Sequence, residues 1–118
     1  MKFCFLGAGA LGTYVGGSLA AAGHEVGFIE RPDTAEAIAE HGLSITTAQG
    51  TQRVRDVRLF TEPGEALAAT PWDVMVFALK SFDTAGALAE LAATGARIPT
   101  VLSLQNGVDN EPLIAEAL

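Results

Sequence analysis

Positive charge is scarce in this sequence: seven Lys+Arg stand against fourteen Asp+Glu, a formal net charge of −7 over 118 residues. A general binder of nucleic acid or anionic membrane needs a basic face from which counterions are released, so both classes are excluded. Cysteine is nearly absent as well. Cys4 alone permits no internal disulfide and no cysteine-based zinc site, and it fits a reducing compartment. Charged residues make up only 18% while hydrophobic ones reach 49%, a balance too apolar for a disordered chain, and the length is that of one domain. Repeats, linkers and low-complexity segments are lacking. The longest apolar stretch, residues 3–22, follows a lysine and resembles a signal peptide or membrane span, but five glycines interrupt it. The reading is therefore a cytoplasmic, soluble domain.

What is present alternates. KFCFL is a short apolar run ended by Gly7 and reads as a strand buried on both faces. From Ala10 the spacing turns helical, with Leu11, Val15, Leu19 and Ala22 as the inward face and Gly23 as the C-terminal cap. HEVGFI (24–29) is a second strand, and Pro32-Asp33 opens a helix with Ala35, Ile38 and Ala39 inward, ending at Glu40-His41-Gly42. Residues 43–48 and 52–60 read as two strands of a hairpin-like excursion around Gln49-Gly50-Thr51. A short helix from Pro63 to Thr70-Pro71, a strand DVMVFAL (73–79), a helix over 83–93, a strand TVLSL (100–104) and a last helix over 109–118 complete the chain. This order predicts an α/β fold: a Rossmann-like, doubly wound, mostly parallel sheet with helices on both faces.

The chemistry is concentrated where strands end. Gly7-Ala8-Gly9-Ala10-Leu11-Gly12 is a G-x-G-x-x-G turn between a predicted strand and a predicted helix. Its first glycine permits the sharp turn, its second lets backbone approach a pyrophosphate, and its third allows close helix–sheet packing. The free N–H groups and positive dipole end of the helix then hold phosphate. A simple packing turn is the bland alternative. About 20 residues on, where an acid selects NAD and an arginine pairs with the 2′-phosphate of NADP, Glu30 and Arg31 stand side by side. Strand alternation sends the two in different directions, so that only one readily faces the ribose. We favour Arg31 and NADP over Glu30 and NAD, against a plain solvated loop cation. Lys80 and the Gln105-Asn106-Gly107 turn follow later strands at the carboxyl end, where doubly wound sheets bind ligands; a surface lysine and an ordinary Asn-Gly turn are the alternatives.

The remaining polar residues carry less. Cys4 reads as core, and His24 and His41 lack partners at metal-ligand or triad spacing. Arg53, Arg55 and Arg58 read as a solvated hairpin, and no catalytic proton donor is evident.

Taken together, GAGALGTYVGGSLAAAGHEVGFIER (7–31), the His41-Gly42-Leu43 turn, FALK ending at Lys80, and LQNGVDNE (104–111) resemble the ketopantoate reductase (2-dehydropantoate 2-reductase) family over essentially the whole chain. The resemblance implies NADPH-dependent reduction of the ketone of 2-dehydropantoate to pantoate, toward pantothenate and coenzyme A. It implies that Gly7, Ala8, Gly9, Ala10, Leu11 and Gly12 hold the pyrophosphate and Arg31 the adenosine 2′-phosphate. Lys80 would lie along the cofactor, and Asn106 beside nicotinamide and substrate. Asp109 departs from the glycine common in the family. The family's catalytic lysine and glutamate belong to a helical second domain, so residues 1–118 are expected to be the dinucleotide-binding domain without its last strands, containing no catalytic residue and inactive alone. TVLSL is then an apolar sheet edge through which copies associate. The alternatives are an NAD(P)-binding module without activity, or the cofactor domain of another 2-keto acid dehydrogenase.

Overall fold

A computed structural model describes residues 1–78 and 84–104. The strands are β1 (Lys2–Leu6), β2 (Glu25–Ile29), β3 (Leu43–Thr47), β4 (Gly50–Val54), β5 (Arg58–Phe60), β6 (Val74–Phe77) and β7 (Thr100–Ser103). The helices are α1 (Ala10–Ala21), α2 (Pro32–His41), α3 (Pro63–Ala69) and α4 (Thr84–Ala93). Five strands form one parallel sheet in the order β5-β2-β1-β6-β7, with β1 at the centre. The antiparallel pair β3-β4 stands apart from it. This is the expected Rossmann-like arrangement, in which β1 and its neighbours place their carboxyl ends side by side. Leu79, Lys80, Gln105, Asn106, Gly107, Asp109 and the helix expected over 109–118 lie outside the described residues.

Strand alternation divides the core into two layers. Cys4, Leu6, Ile29, Met75 and Phe77 point to the face covered by α3 and α4, where Trp72 and Leu91 close the packing. Phe5, Val26, Phe28 and Val76 point to the opposite face, covered by α1, α2 and the hairpin. Cys4, Phe5, Phe28, Met75 and Phe77 are completely inaccessible, as a sheet covered on both sides requires.

Two expectations are corrected. The residues of α1 buried against the sheet are Gly12, Gly16, Gly17 and Ala20, while Val15 and Leu19 flank them and Leu11 is half exposed. Ala22 is exposed too, as is Ala39 on α2. The reason is close approach. A Cβ on Gly16 would stand 2.6 Å from the Phe28 ring, and one on Gly17 2.5 Å from Ile45 of the hairpin. Aromatic side chains of the sheet fill the space that helix side chains would otherwise occupy.

Residues 52–60 are the second correction, because they form two strands. Val54 and Phe60 share parity, so an unbroken strand would bury both on one face; instead they enter opposite layers. A tight turn in which the Val57 N–H donates to the Arg55 carbonyl at 2.9 Å breaks the run. β5 then joins β2 in parallel, and β4 stays with β3. The hairpin closes the end of α2, where Arg53 donates to the His41 carbonyl at 2.7 Å and Arg55 to that of Glu40 at 3.2 Å. These are helix C-terminal carbonyls, so the arginines act as caps.

Candidate functional site: the glycine turn and its cleft

β1 delivers the chain to Gly7, whose φ of 100° is a conformation that residues with a Cβ rarely adopt. The Gly7 N–H donates to the Ile29 carbonyl at 3.1 Å, which ties the start of the turn to the end of β2. The chain then enters α1 at Gly9, the N-cap. Among the described residues no side chain caps this helix, and no acidic residue occupies its first turn, whereas α2 carries Asp33 and α3 carries Glu65 there. The first-turn N–H groups of α1 have no intrahelical acceptor. They therefore present partial positive charge at the mouth of the turn.

The three glycines differ in what demands them. Gly7 is required by its backbone angle. At Gly12 a Cβ would stand 2.9 Å from both the Ala78 Cβ and the Gly7 carbonyl oxygen, so close packing requires it. Among the described residues nothing demands Gly9. Its φ of −64° and ψ of −177° suit any residue, and the nearest atom to an added Cβ is the Ala78 carbonyl at 3.7 Å.

The turn opens onto a cleft of about 670 Å³, bordered by Leu6, Gly7, Gly9, Ile29, Glu30 and Arg31. The N-terminal end of α2, Thr61, Ala78 and the Gly86–Glu90 side of α4 complete it. Such a volume lies in the range of about 300–1,000 Å³ usual for small-molecule and cofactor sites. Its walls are strand carboxyl ends: Leu6 of β1, Ile29 of β2, Thr61 just past β5 and Ala78 just past β6.

Glu30 and Arg31 both border this cleft, although alternation predicts that only one readily does so. The Glu30 carboxylate turns back and accepts the Ala8 N–H at 2.7 Å through Oε1, and the Arg31 N–H at 3.2 Å through Oε2. The Arg31 side chain is exposed and has no ion-pair partner among the described residues. Sequence reasoning missed Thr13, whose hydroxyl donates to the Ala8 carbonyl at 2.8 Å while its N–H donates to that of Gly9 at 2.8 Å. A hydroxyl in the first turn of a helix after a glycine turn is the signal that was available.

Cys4 is completely buried, and burial pushes its thiol up to about 12. It is core, as expected. Among the described residues no group of His, Cys, Asp and Glu could hold a metal ion, and no helix is long and apolar enough to cross a membrane.

Comparison with known proteins agrees with this fold. A 2-dehydropantoate 2-reductase from Pyrococcus horikoshii is 37% identical over 98% of the chain, which spans 36% of that protein's length. The crystal structure of a PanE/ApbA family ketopantoate reductase from Ralstonia eutropha JMP134 superposes on all of this chain with a TM-score of 0.86 at 40% identity, and the match covers 38% of that chain. A D-mandelate dehydrogenase, solved as a ternary structure with NADH and anilino(oxo)acetate, matches all of this chain and 38% of its own, at a TM-score of 0.80 and 25% identity. The relatives are thus about three times as long as this chain. The family model described as ketopantoate reductase PanE/ApbA matches residues 3–118, and the chain belongs to that family.

Proposed function

We propose that the chain is the NADP(H)-binding part of an oxidoreductase that reduces 2-dehydropantoate, the substrate named for its relatives. The observation that carries this reading is Gly9. A glycine that neither its backbone angle nor packing among the described residues requires is costly in conformational entropy, and it borders the cleft in front of α1. A side chain there would clash with none of the described residues and would intrude on a ligand occupying the cleft. The cradle thus fits the diphosphate of a nicotinamide dinucleotide, which when bound supplies the hydride for ketone reduction. In this reading the first-turn N–H groups of α1 hold the diphosphate, and the turn of Gly7, Ala8, Gly9, Ala10, Leu11 and Gly12 shapes their approach. Arg31 at the β2 tip meets the adenosine 2′-phosphate. Lys80 is assigned along the cofactor and Asn106 beside nicotinamide and substrate on the family resemblance alone. In this reading the described residues bind and orient the nucleotide.

Titration of NADPH and NADH tests the reading. Serine is the better N-cap, so Gly9→Ser leaves the nucleotide-free fold as stable or slightly more so. Even so, it should weaken both nucleotides at least about tenfold, because its side chain stands where the diphosphate approaches. Arg31→Ala should weaken NADPH by about ten- to a hundredfold, the worth of a charge-assisted phosphate pair, and leave NADH nearly unchanged. Unchanged binding in Gly9→Ser overturns the cradle, and equal losses in Arg31→Ala remove that residue from the 2′-phosphate.

A second reading, an NAD-dependent dehydrogenase of another 2-keto acid, is favoured by Glu30 at the cleft and by the NADH-bound D-mandelate dehydrogenase. It predicts tighter NADH than NADPH binding. β7, last in the strand order among the described residues, is proposed as the edge through which copies associate. A molar mass that stays monomeric at high concentration in light scattering overturns that part.

A further inference from the structure

The Glu30 side chain reaches back across 22 residues of sequence to the middle of the glycine turn. Ala8 is held there on both sides of its own residue. Its N–H is taken by the Glu30 carboxylate at 2.7 Å and its carbonyl by the Thr13 hydroxyl at 2.8 Å. Its neighbours are Gly7 and Gly9, the residues with the most conformational freedom to lose on ordering. In a turn built this way only the Ala8 methyl packs against the core, so side-chain packing contributes little to fixing it. The two hydrogen bonds at Ala8, one from just past β2 and one from α1, add to the Gly7 N–H bond to Ile29 and are the side-chain contribution to fixing it. The second Glu30 oxygen is engaged too, by the Arg31 N–H at 3.2 Å.

We infer that Glu30 is a positioning residue that braces the glycine turn against β2, rather than the acceptor that recognises a ribose hydroxyl. The inference rests on the nucleotide-site reading of the cleft only for its effect on binding; the brace itself is a property of the ligand-free protein. A carboxylate beside a polyanion site is otherwise unfavourable, and the Ala8 N–H gives a reason for its presence that does not depend on which dinucleotide binds. Because the brace acts on the shared diphosphate cradle, it contributes equally to NADPH and NADH. Discrimination between the two then falls to Arg31.

Three substitutions separate these roles. Glu30→Ala removes the acceptor, Glu30→Gln keeps an oxygen at the right reach without the charge, and Glu30→Asp keeps the charge but is one methylene too short. The first readout is backbone amide exchange at Ala8, followed by NMR in the protein without nucleotide. Exchange should accelerate about tenfold in the Ala and Asp variants and stay near the original rate in Gln. The second is calorimetric titration with NADPH and with NADH. Both should weaken by a common factor of about ten in Ala and Asp, with Gln restoring most of the affinity. The inference is overturned if Ala8 exchange ignores all three changes, if Gln fails to rescue, or if the Ala variant loses NADH selectively while NADPH holds. Should the unsubstituted protein bind neither nucleotide, the cofactor reading fails, and the exchange measurement still decides the brace.

Discussion

Gly9 and Gly12 lie three residues apart and answer to opposite constraints. At Gly12 the Ala78 Cβ and the Gly7 carbonyl leave no room for a Cβ, whereas at Gly9 the described residues leave room for one. The motif alone assigns these roles by analogy; the built geometry assigns them by contact. Cys4 shows the same separation of possibility from use. Its thiol is completely buried on β1, and burial raises it from an ordinary value of 9.0 to about 12. A group that binds its proton more tightly when folded stabilises the fold fully below pH 9 and loses that contribution as pH rises toward 12. The unsubstituted protein should therefore lose more stability between pH 8.5 and pH 10.5 than Cys4→Ala does, read as the shift in denaturant midpoint. Thiol reagents should modify Cys4 at the rate of global unfolding. Equal pH slopes in the two proteins, or rapid modification of the native one, would contradict its burial.

At the scale of elements, legibility followed locality. β1, β2, α2 and β6 stand where their apolar patterns and flanking Gly and Pro residues place them, because each pattern is complete within its own segment. The face of α1 differs from its pattern, since its periodic Leu and Val residues suggest the inward stripe while the decisive contacts come from Phe28 of β2 and Ile45 of β3. Nor does sequence alternation reveal that Val54 and Phe60 belong to different layers, or that Glu30 folds back onto Ala8. These outcomes depend on partners distant in the chain, 12 residues away from Gly16 to Phe28 and 28 from Gly17 to Ile45. The candidate cradle was legible because its glycines, strand and helix are contiguous. A prediction follows for the helix as a unit. Gly12→Ala drives a methyl into Ala78 and the Gly7 carbonyl, lifting α1 from the sheet at a cost of about 1–3 kcal/mol. Chemical denaturation should show that loss, and nucleotide titration should show weakened binding with it. Gly9→Ser, by comparison, separates binding from stability. A Gly12→Ala protein as stable as the original would mean that α1 does not lie as close to Ala78 as described.

The whole molecule joins these local devices through sheet order. β1 lies between β2 and β6, so the carboxyl ends of all three face one cleft, and β5 adds Thr61 from beyond β2. A ligand held there touches segments that are far apart in sequence, from Gly7 to Ala78 and on to Glu90 of α4. An unfolded chain offers none of this arrangement, so binding is specific to the folded state and must stabilise it by mass action. At a free nucleotide concentration one hundred times Kd, the gain is about 2.7 kcal/mol. For a domain of this size that corresponds to a rise in Tm on the order of 10 °C. Differential scanning calorimetry with NADPH should show it, growing with the logarithm of concentration. Gly9→Ser should retain the ligand-free Tm and lose at least about half of the rise. If NADPH leaves Tm unmoved at millimolar concentration, the strand ends form a cleft without a nucleotide, and the glycine at position 9 needs another explanation.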